Sequence, residues 1–268
     1  MKKMLITGNE ACGEGAVRAG CRFYAGYPIT PQNEITAYMG KRMDEEKGVF
    51  LQSESEVAAI NMIFGASLTG TRTMTTSSSP GISLMQEGVS YLAGCQLPAV
   101  IVNVMRGGPG LGNIAPAQGD YFQATKGGGH GDYNMVVLAP ASPQEMFDFT
   151  YEAFNIADKY RNPVIILSDS IIGQMMEPIN MSKKNKTQDM SKKPWALRGC
   201  RGRKPNVIRS LFLKEGVLEN WNKNLQKKFK KMKKDEIRFE EYRTENADMV
   251  FVAYGTNARI ARAVVDEL

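Results

Sequence analysis

The stretch Arg22-Phe23-Tyr24-Ala25-Gly26-Tyr27-Pro28-Ile29-Thr30-Pro31 decides how the rest of the chain is read. Its first five residues form a short run without polar alternation, as in a strand covered on both faces. Two prolines come next, where a helix is due. Proline fixes φ and lacks an amide donor, and it steers the residue before it away from the helical region. The unit is therefore a buried strand, a stiffened loop, and a helix that starts late. Apolar runs of the same kind recur at 49–52, 72–76, 99–104, 135–139 and 163–168, with helix-like stretches at 10–19, 32–46, 54–69, 82–93 and 143–159. The last helix opens with Ser142-Pro143-Gln144-Glu145, a cap followed by proline and a carboxylate in the first turn. Alternation of this sort predicts an α/β fold, a doubly wound parallel sheet, with ligands at the carboxyl ends of the strands.

Beyond residue 182 the composition changes. Residues 1–180 carry 12 Lys and Arg against 17 Asp and Glu, whereas 181–268 carry 22 against 11, so the net charge of +6 belongs to the second segment. We read 1–182 as one α/β domain, 183–246 as a basic connector and 247–268 as the start of a second α/β domain. That last piece would open with a strand at 249–254 and a helix at 258–268. The lysines of the connector, Lys183-Lys184-Asn185-Lys186 and the run 227–234, read as a solvated segment and a charged helix. A non-catalytic scaffold or nucleic-acid-binding protein is the alternative, though no aromatic platform is interleaved with the lysines.

Composition also excludes classes. The 268 residues, 43% of them hydrophobic, can bury one large core or two modest ones. No apolar stretch is long enough to span a bilayer and the N-terminus lacks a secretory pattern, so a soluble cytoplasmic protein is expected. Cys12, Cys21, Cys95 and Cys200 lie far apart and the chain has a single histidine, which makes a zinc or iron–sulfur ligand set from these residues unworkable. All four are expected to be reduced thiols, mostly in the core.

Three strand ends carry candidate chemistry. At the first, Thr30 and the backbone around Pro28 and Ile29 would face a pocket; the plainer reading makes Thr30 a helix cap with Pro31 at the first helical position. At the second, Ser53-Glu54-Ser55-Glu56 opens a helix of small residues. An acid there suits the helix dipole, yet Glu56 enters apolar surroundings, where a carboxylate usually has a partner or a raised pKa. At the third, Arg106 precedes the glycine-rich Gly107-Gly108-Pro109-Gly110-Leu111-Gly112. The arginine offers a fork for a carboxylate, and the loop reads as a mobile lid over a small anion rather than a nucleotide loop. His130, in another glycine-rich turn, either lines the substrate pocket or hydrogen-bonds at the surface.

Tyr27-Pro28-Ile29-Thr30-Pro31, Gln52-Ser53-Glu54-Ser55-Glu56 and Thr75-Thr76-Ser77-Ser78-Ser79-Pro80-Gly81-Ile82-Ser83-Leu84-Met85, in that order, resemble the α subunit of the 2-oxoacid:ferredoxin oxidoreductases. With Gly127-Gly128-Gly129-His130-Gly131-Asp132-Tyr133, the pattern is most similar to the branched-chain, 2-oxoisovalerate type. The resemblance implies a domain that grips the pyrimidine ring of thiamine diphosphate. In it Glu56 hydrogen-bonds the far ring nitrogen and favours the imino tautomer, Pro28 and Ile29 lie against the ring, and Thr30 and Arg106 meet the substrate. It further implies oxidative decarboxylation of a 2-oxoacid (2-oxoisovalerate, or else 2-oxoglutarate, pyruvate or an arylpyruvate) to its acyl-coenzyme A, with electrons passed to ferredoxin. The diphosphate and Mg²⁺ are held in such enzymes by a Gly-Asp-Gly motif with a later Asn. Gly119-Asp120-Tyr121 and Gly131-Asp132-Tyr133 are incomplete versions. A β subunit would therefore bring the diphosphate site, Mg²⁺ and an iron–sulfur cluster, and a ferredoxin-like subunit would complete the electron path.

Overall fold

The computed structural model describes residues 3–182 and 189–268; Lys183, Lys184 and Lys186 lie outside the described residues. In chain order the elements are β1 (Lys3–Thr7), α1 (Gly8–Arg18), β2 (Phe23–Gly26), α2 (Asn33–Glu45), β3 (Val49–Gln52), α3 (Glu56–Leu68), β4 (Thr73–Ser77), α4 (Ser79–Gly94), β5 (Ala99–Met105), α5 (Tyr121–Lys126), β6 (Val136–Leu138), α6 (Pro143–Tyr160), β7 (Pro163–Asp169), α7 (Ser170–Gln174), β8 (Met176–Asn180), α8 (Val217–Asp235) and α9 (Gly255–Glu267).

Six strands form one parallel sheet in the order β3-β2-β4-β5-β7-β6. The three central strands β4, β5 and β7 are buried along their whole length. Right-handed crossovers then put α2 and α6 on one face and α3 and α4 on the other. Accordingly α1 packs on α6 and α2, while α3 packs on α4. The chain leaves β2 towards β3 on one side and leaves β4 towards β5 on the other. The crevice between the β2 and β4 ends is thus a topological switch point, where open α/β sheets bind ligands.

Helix ends obey their side chains. Thr7 and Glu10 close a capping box at α1, and Ser142 accepts from the Glu145 amide at α6 while Glu145 Oε2 accepts from the Ala141 amide at 2.7 Å. Cys12, Cys21 and Cys95 are buried free thiols and Cys200 is an exposed one. Burial pushes the Cys12 and Cys21 thiols up to about 12.

Two features depart from the sequence reading. A separate antiparallel pair, β1 with β8, fastens the N-terminus to residue 180 in register Lys3↔Asn180. Residues 249–254 form no strand: Met249, Val250 and Phe251 are exposed and Val252 is 98% exposed. An apolar β-branched run becomes a strand only beside a neighbour that can take its backbone bonds, and this one joins neither β3 nor β6 at the sheet edges. The next helix, α9, sits against the carboxyl end of β7. Among the described residues no helix is long and apolar enough to cross a membrane.

Candidate functional site

The loop after β2 is held from below by a buried polar network. Tyr24 OH lies 2.6 Å from Thr76 Oγ1 and 2.9 Å from Thr36 Oγ1, and both threonine hydroxyls donate to Gln32 Oε1 at 2.5 and 3.1 Å. Burial drives the Tyr24 phenol up to about 12, so it remains a donor. Gln32 Nε2 in turn donates to the Tyr27 carbonyl at 3.2 Å. From the other side Asn9 Nδ2 donates to the Pro31 carbonyl and to Glu34 Oε2, each at 2.8 Å. Most of these links join residues distant in sequence, so the loop between Tyr27 and Pro31 keeps its shape through the packed interior. The reading of Thr30 as a helix cap is overturned: Gln32 occupies the cap position, and α2 starts at Asn33.

Arg106 and Thr30 meet. Arg106 Nη1 donates to the Thr30 carbonyl at 3.0 Å and Nη2 to the Leu111 carbonyl at 3.0 Å, while its buried Nε has no partner among the described residues. The strand end beneath is braced by Ser79, whose hydroxyl accepts from the Arg106 amide at 3.0 Å and donates to Asp120 Oδ2 at 2.6 Å. Asn103 Nδ2 donates to that same carboxylate oxygen at 2.8 Å, and Asn103 Oδ1 accepts from the Ser79 amide at 3.1 Å. The glycine-rich loop expected to be a mobile lid is folded on itself. The Gly107 amide donates to the Ala115 carbonyl, the Asn113 amide donates to the Gly107 carbonyl, and Arg106 bridges to Pro116. At Gly112, φ is +57° and an added Cβ would run into the Gly107 carbonyl, so only glycine fits this turn.

Glu56 begins α3, after Ser55, whose hydroxyl accepts from the Ala58 amide. The residue is 6% exposed, and no hydrogen bond or ion pair reaches its carboxylate among the described residues. Ser77 Oγ, which meets Gly81 as Glu56 does, is buried and has no hydrogen-bond partner among the described residues, and the same holds for the Ser53 and Ser78 hydroxyls at the neighbouring strand ends. Gly81 in the first turn of α4 closes over this carboxylate so tightly that a Cβ there would lie 2.8 Å from Glu56 Cγ and nearer still to its Oε1 and to Ser77 Oγ. The first turn of α4 thus touches Glu56 through Gly81 and Arg106 through Ser79. No hydrogen bond joins Glu56 directly to Thr30 or Arg106 among the described residues. The β2 and β3 ends are adjacent, with the Ser53 amide donating to the Gly26 carbonyl at 3.0 Å.

Of the other residues singled out in the sequence, Pro28 is exposed and Ile29 half-buried in the same loop. His130 is exposed on the outside of α4, where its carbonyl accepts from Ser90 Oγ at 2.6 Å. Asn9, Tyr24, Gln32, Thr76, Asn103 and Asp120 were not legible as site residues. Only Asp120 stood in a recognisable pattern, and its carboxylate is taken up by Ser79 and Asn103.

Residues 14–244 match the family described as pyruvate flavodoxin/ferredoxin oxidoreductase, thiamine diphosphate-binding. The chain belongs to this family. It is similar to the ketoisovalerate oxidoreductase subunit VorB of Methanothermobacter thermautotrophicus, at 50% identity over 266 residues that cover 99% of this chain and 75% of the relative. It is 43% identical over 270 residues to the 2-oxoglutarate synthase subunit KorA of Archaeoglobus fulgidus, covering 98% of this chain and 76% of that one. Among solved structures, 2-oxoglutarate:ferredoxin oxidoreductase from Magnetococcus marinus, with 2-oxoglutarate, coenzyme A and succinyl-CoA bound, superposes with a TM-score of 0.85 at 26% identity. That match covers 99% of this chain and 51% of the Magnetococcus chain, so the present chain spans about half of it. The three motifs therefore identified the right family, and the parallel sheet is the fold of its thiamine-binding domain.

The residues present suit one half of that cofactor. Glu56, a buried residue whose carboxylate has no partner among the described residues and which Ser77 and Gly81 adjoin, has the free acceptor that a ring nitrogen would need. Asp120, already bonded twice, is not available in the same way for a metal-bound diphosphate.

Proposed function

We propose that this chain is the pyrimidine-gripping α-type subunit of a 2-oxoacid:ferredoxin oxidoreductase whose 2-oxoacid is 2-oxoisovalerate. The observation that carries the reading is Glu56, buried and unpartnered at the switch point of a thiamine-binding family's sheet. The choice of a branched-chain acid rests on the similarity to VorB. When bound, thiamine diphosphate supplies a carbon nucleophile that adds to the 2-oxo carbon and takes up the electron pair as carbon dioxide leaves.

The residues of this chain set the stage for that chemistry. Glu56 shares a proton with the far pyrimidine nitrogen, and the low-dielectric surroundings strengthen that bond. Pro28 and Ile29 press against the ring from a loop that Gln32 and Asn9 hold in place. Arg106, anchored on the Thr30 and Leu111 carbonyls, offers the second N–H of its terminal nitrogens to the substrate carboxylate, and Thr30 offers its hydroxyl beside it. A β subunit contributes the diphosphate and Mg²⁺ site and an iron–sulfur cluster. Electrons pass through it and a ferredoxin-like subunit to ferredoxin, and coenzyme A takes the acyl group.

The test is Glu56→Ala in the reconstituted complex. Turnover is expected to fall by roughly a hundredfold or more, in the range a positioned acid or base contributes. Gel filtration is expected to show intact assembly. Near-normal turnover in an assembled complex would sink the assignment.

A further inference from the structure

The amino edge of the sheet, opposite the site just described, carries a second cleft of about 450 Å³. Its walls come from four parts of the chain: Cys95, which caps the end of α4; Arg161, which caps the end of α6; Trp195 and the 206–212 segment of the basic connector; and Trp221 near the start of α8. These pieces are fixed in place. Trp221 Nε1 donates to the Gly94 carbonyl at 2.9 Å, Arg161 Nε donates to the Gln96 carbonyl at 3.1 Å, and Asn206 Nδ2 bonds the Pro194 and Ala196 carbonyls at 2.6 and 3.1 Å. The cleft is preformed, which lowers the ordering cost of filling it.

Its chemistry is one-sided. The Arg161 guanidinium lies over the Trp195 ring at 4.6 Å and that of Arg209 over the Phe212 ring at 5.2 Å, while the Phe212 and Trp221 rings stand 5.2 Å apart. No Asp or Glu lines the cleft, and neither arginine forms an ion pair among the described residues. Behind it, Lys228 Nζ donates to the Arg161 carbonyl at 3.2 Å. Burial, with the charge of Arg161 beside it, pulls that ammonium down to about 7. Two arginines with no acid beside them leave the cleft positively charged, so an anion complements it. A bare anion would use none of the aromatic wall, and an apolar guest would leave the arginines uncompensated. A flat heterocycle joined to phosphate satisfies both, and the volume suits a ligand of that size.

We propose that this cleft of Arg161, Trp195, Arg209, Phe212 and Trp221 binds a purine nucleotide, free or as the nucleotide end of a larger cofactor. The site lies away from Glu56 and is independent of the reading of the first site. Trp195 and Trp221 are the only tryptophans in the sequence, so intrinsic fluorescence of the full chain reports on this cleft alone.

The experiment titrates the full chain with ADP, GDP, coenzyme A, adenosine and inorganic phosphate, following tryptophan emission. Saturable quenching by ADP or GDP is expected, with phosphate or adenosine alone requiring roughly tenfold higher concentration or more, since each lacks one half of the match. Tighter binding of coenzyme A than of ADP would support the larger cofactor as the source; the reverse order would support the free nucleotide. Exposed Arg209→Ala, which leaves the fold untouched, is expected to weaken binding by about tenfold, as loss of a charge-assisted bond to phosphate does. Arg161→Gln, checked by circular dichroism, is expected to weaken it at least as much. Glu56→Ala is expected to change nothing. Absence of saturable quenching by any nucleotide, equal response to phosphate alone, or an unchanged affinity in folded Arg209→Ala would overturn the proposal.

Discussion

Alanine at position 81 tests the geometry around Glu56 without touching the carboxylate itself. An added Cβ would stand 2.8 Å from Glu56 Cγ, whereas ordinary contact begins at 3.4 Å. Restoring that contact displaces the carboxylate carbon chain by roughly half an ångström and its nearer oxygen by about 1 Å, a misplacement of the size that costs on the order of a hundredfold in rate. The methyl also overpacks a filled interior, at about 1–3 kcal/mol. Gly65→Ala is the matched control, because nothing lies within 4 Å of its Cβ and α3 gains a better helix former, worth about 1 kcal/mol. Turnover of the reconstituted complex and urea midpoints of the chain read the two effects separately. The expectation is that Gly81→Ala unfolds earlier and turns over about a hundredfold more slowly, while Gly65→Ala unfolds later. Wild-type turnover in Gly81→Ala would refute the claim that the position of Glu56 is set by the first turn of α4.

Arg106→Ala is expected to raise KM for the 2-oxoacid by roughly tenfold or more, the effect of losing a charge-assisted bond; an unchanged KM in steady-state assays would reduce Arg106 to a loop anchor. Thr76→Val removes the hydroxyl between Tyr24 and Gln32 and is expected to cost about 1–3 kcal/mol in denaturant unfolding, because buried partners lose their bond, with KM rising as the Tyr27 carbonyl loosens. Lys228 has a folded pKa near 7, well below its unfolded value, so the unfolded chain binds the extra proton between about pH 7 and 10. Its contribution to stability is therefore lowest below pH 7 and rises with pH across that window. The gain of Lys228→Met over the wild type in urea midpoints should be largest near neutrality and vanish towards pH 10; a difference independent of pH would contradict the burial argument.

The parallel sheet is legible because its strands are covered on both faces. Each of β2 to β7 begins and ends within one residue of an apolar run read from sequence, and proline or glycine punctuates many of the connecting loops. The same logic fails for 249–254, whose composition is that of a strand but which has no neighbour to pair with. It also fails for β1 and β8, where Lys3, Glu177 and Pro178 disguise an antiparallel pair joined across the whole domain. At the site, Glu56 and Arg106 stand out because a charge at the end of an apolar strand is conspicuous in one dimension. Asn9, Gln32 and the Tyr24–Thr76 pair do not, since each is an ordinary polar residue until folding brings it across 20 or more positions to its partner. The lysine-rich run 227–234 hides Phe229 and Met232, which with Leu225 form the buried stripe of α8.

Asp169, 2% exposed at the end of β7, gathers distant parts of the chain at one carboxylate. It caps α7 through the Ile172 amide, accepts from the Thr256 amide and hydroxyl at 3.0 and 2.6 Å, and takes a bond from Gln118 Nε2 at 3.2 Å. Gln118 Nε2 also reaches the Tyr254 carbonyl, and its Oε1 accepts from Asn257. An engineered stop between Phe251 and Gly255 would leave the sheet whole yet take from Gln118, downstream of the Arg106 loop, its bonds to Tyr254 and Asn257. Shortened versions made for expression or crystallisation would therefore handle substrate poorly while looking perfectly folded.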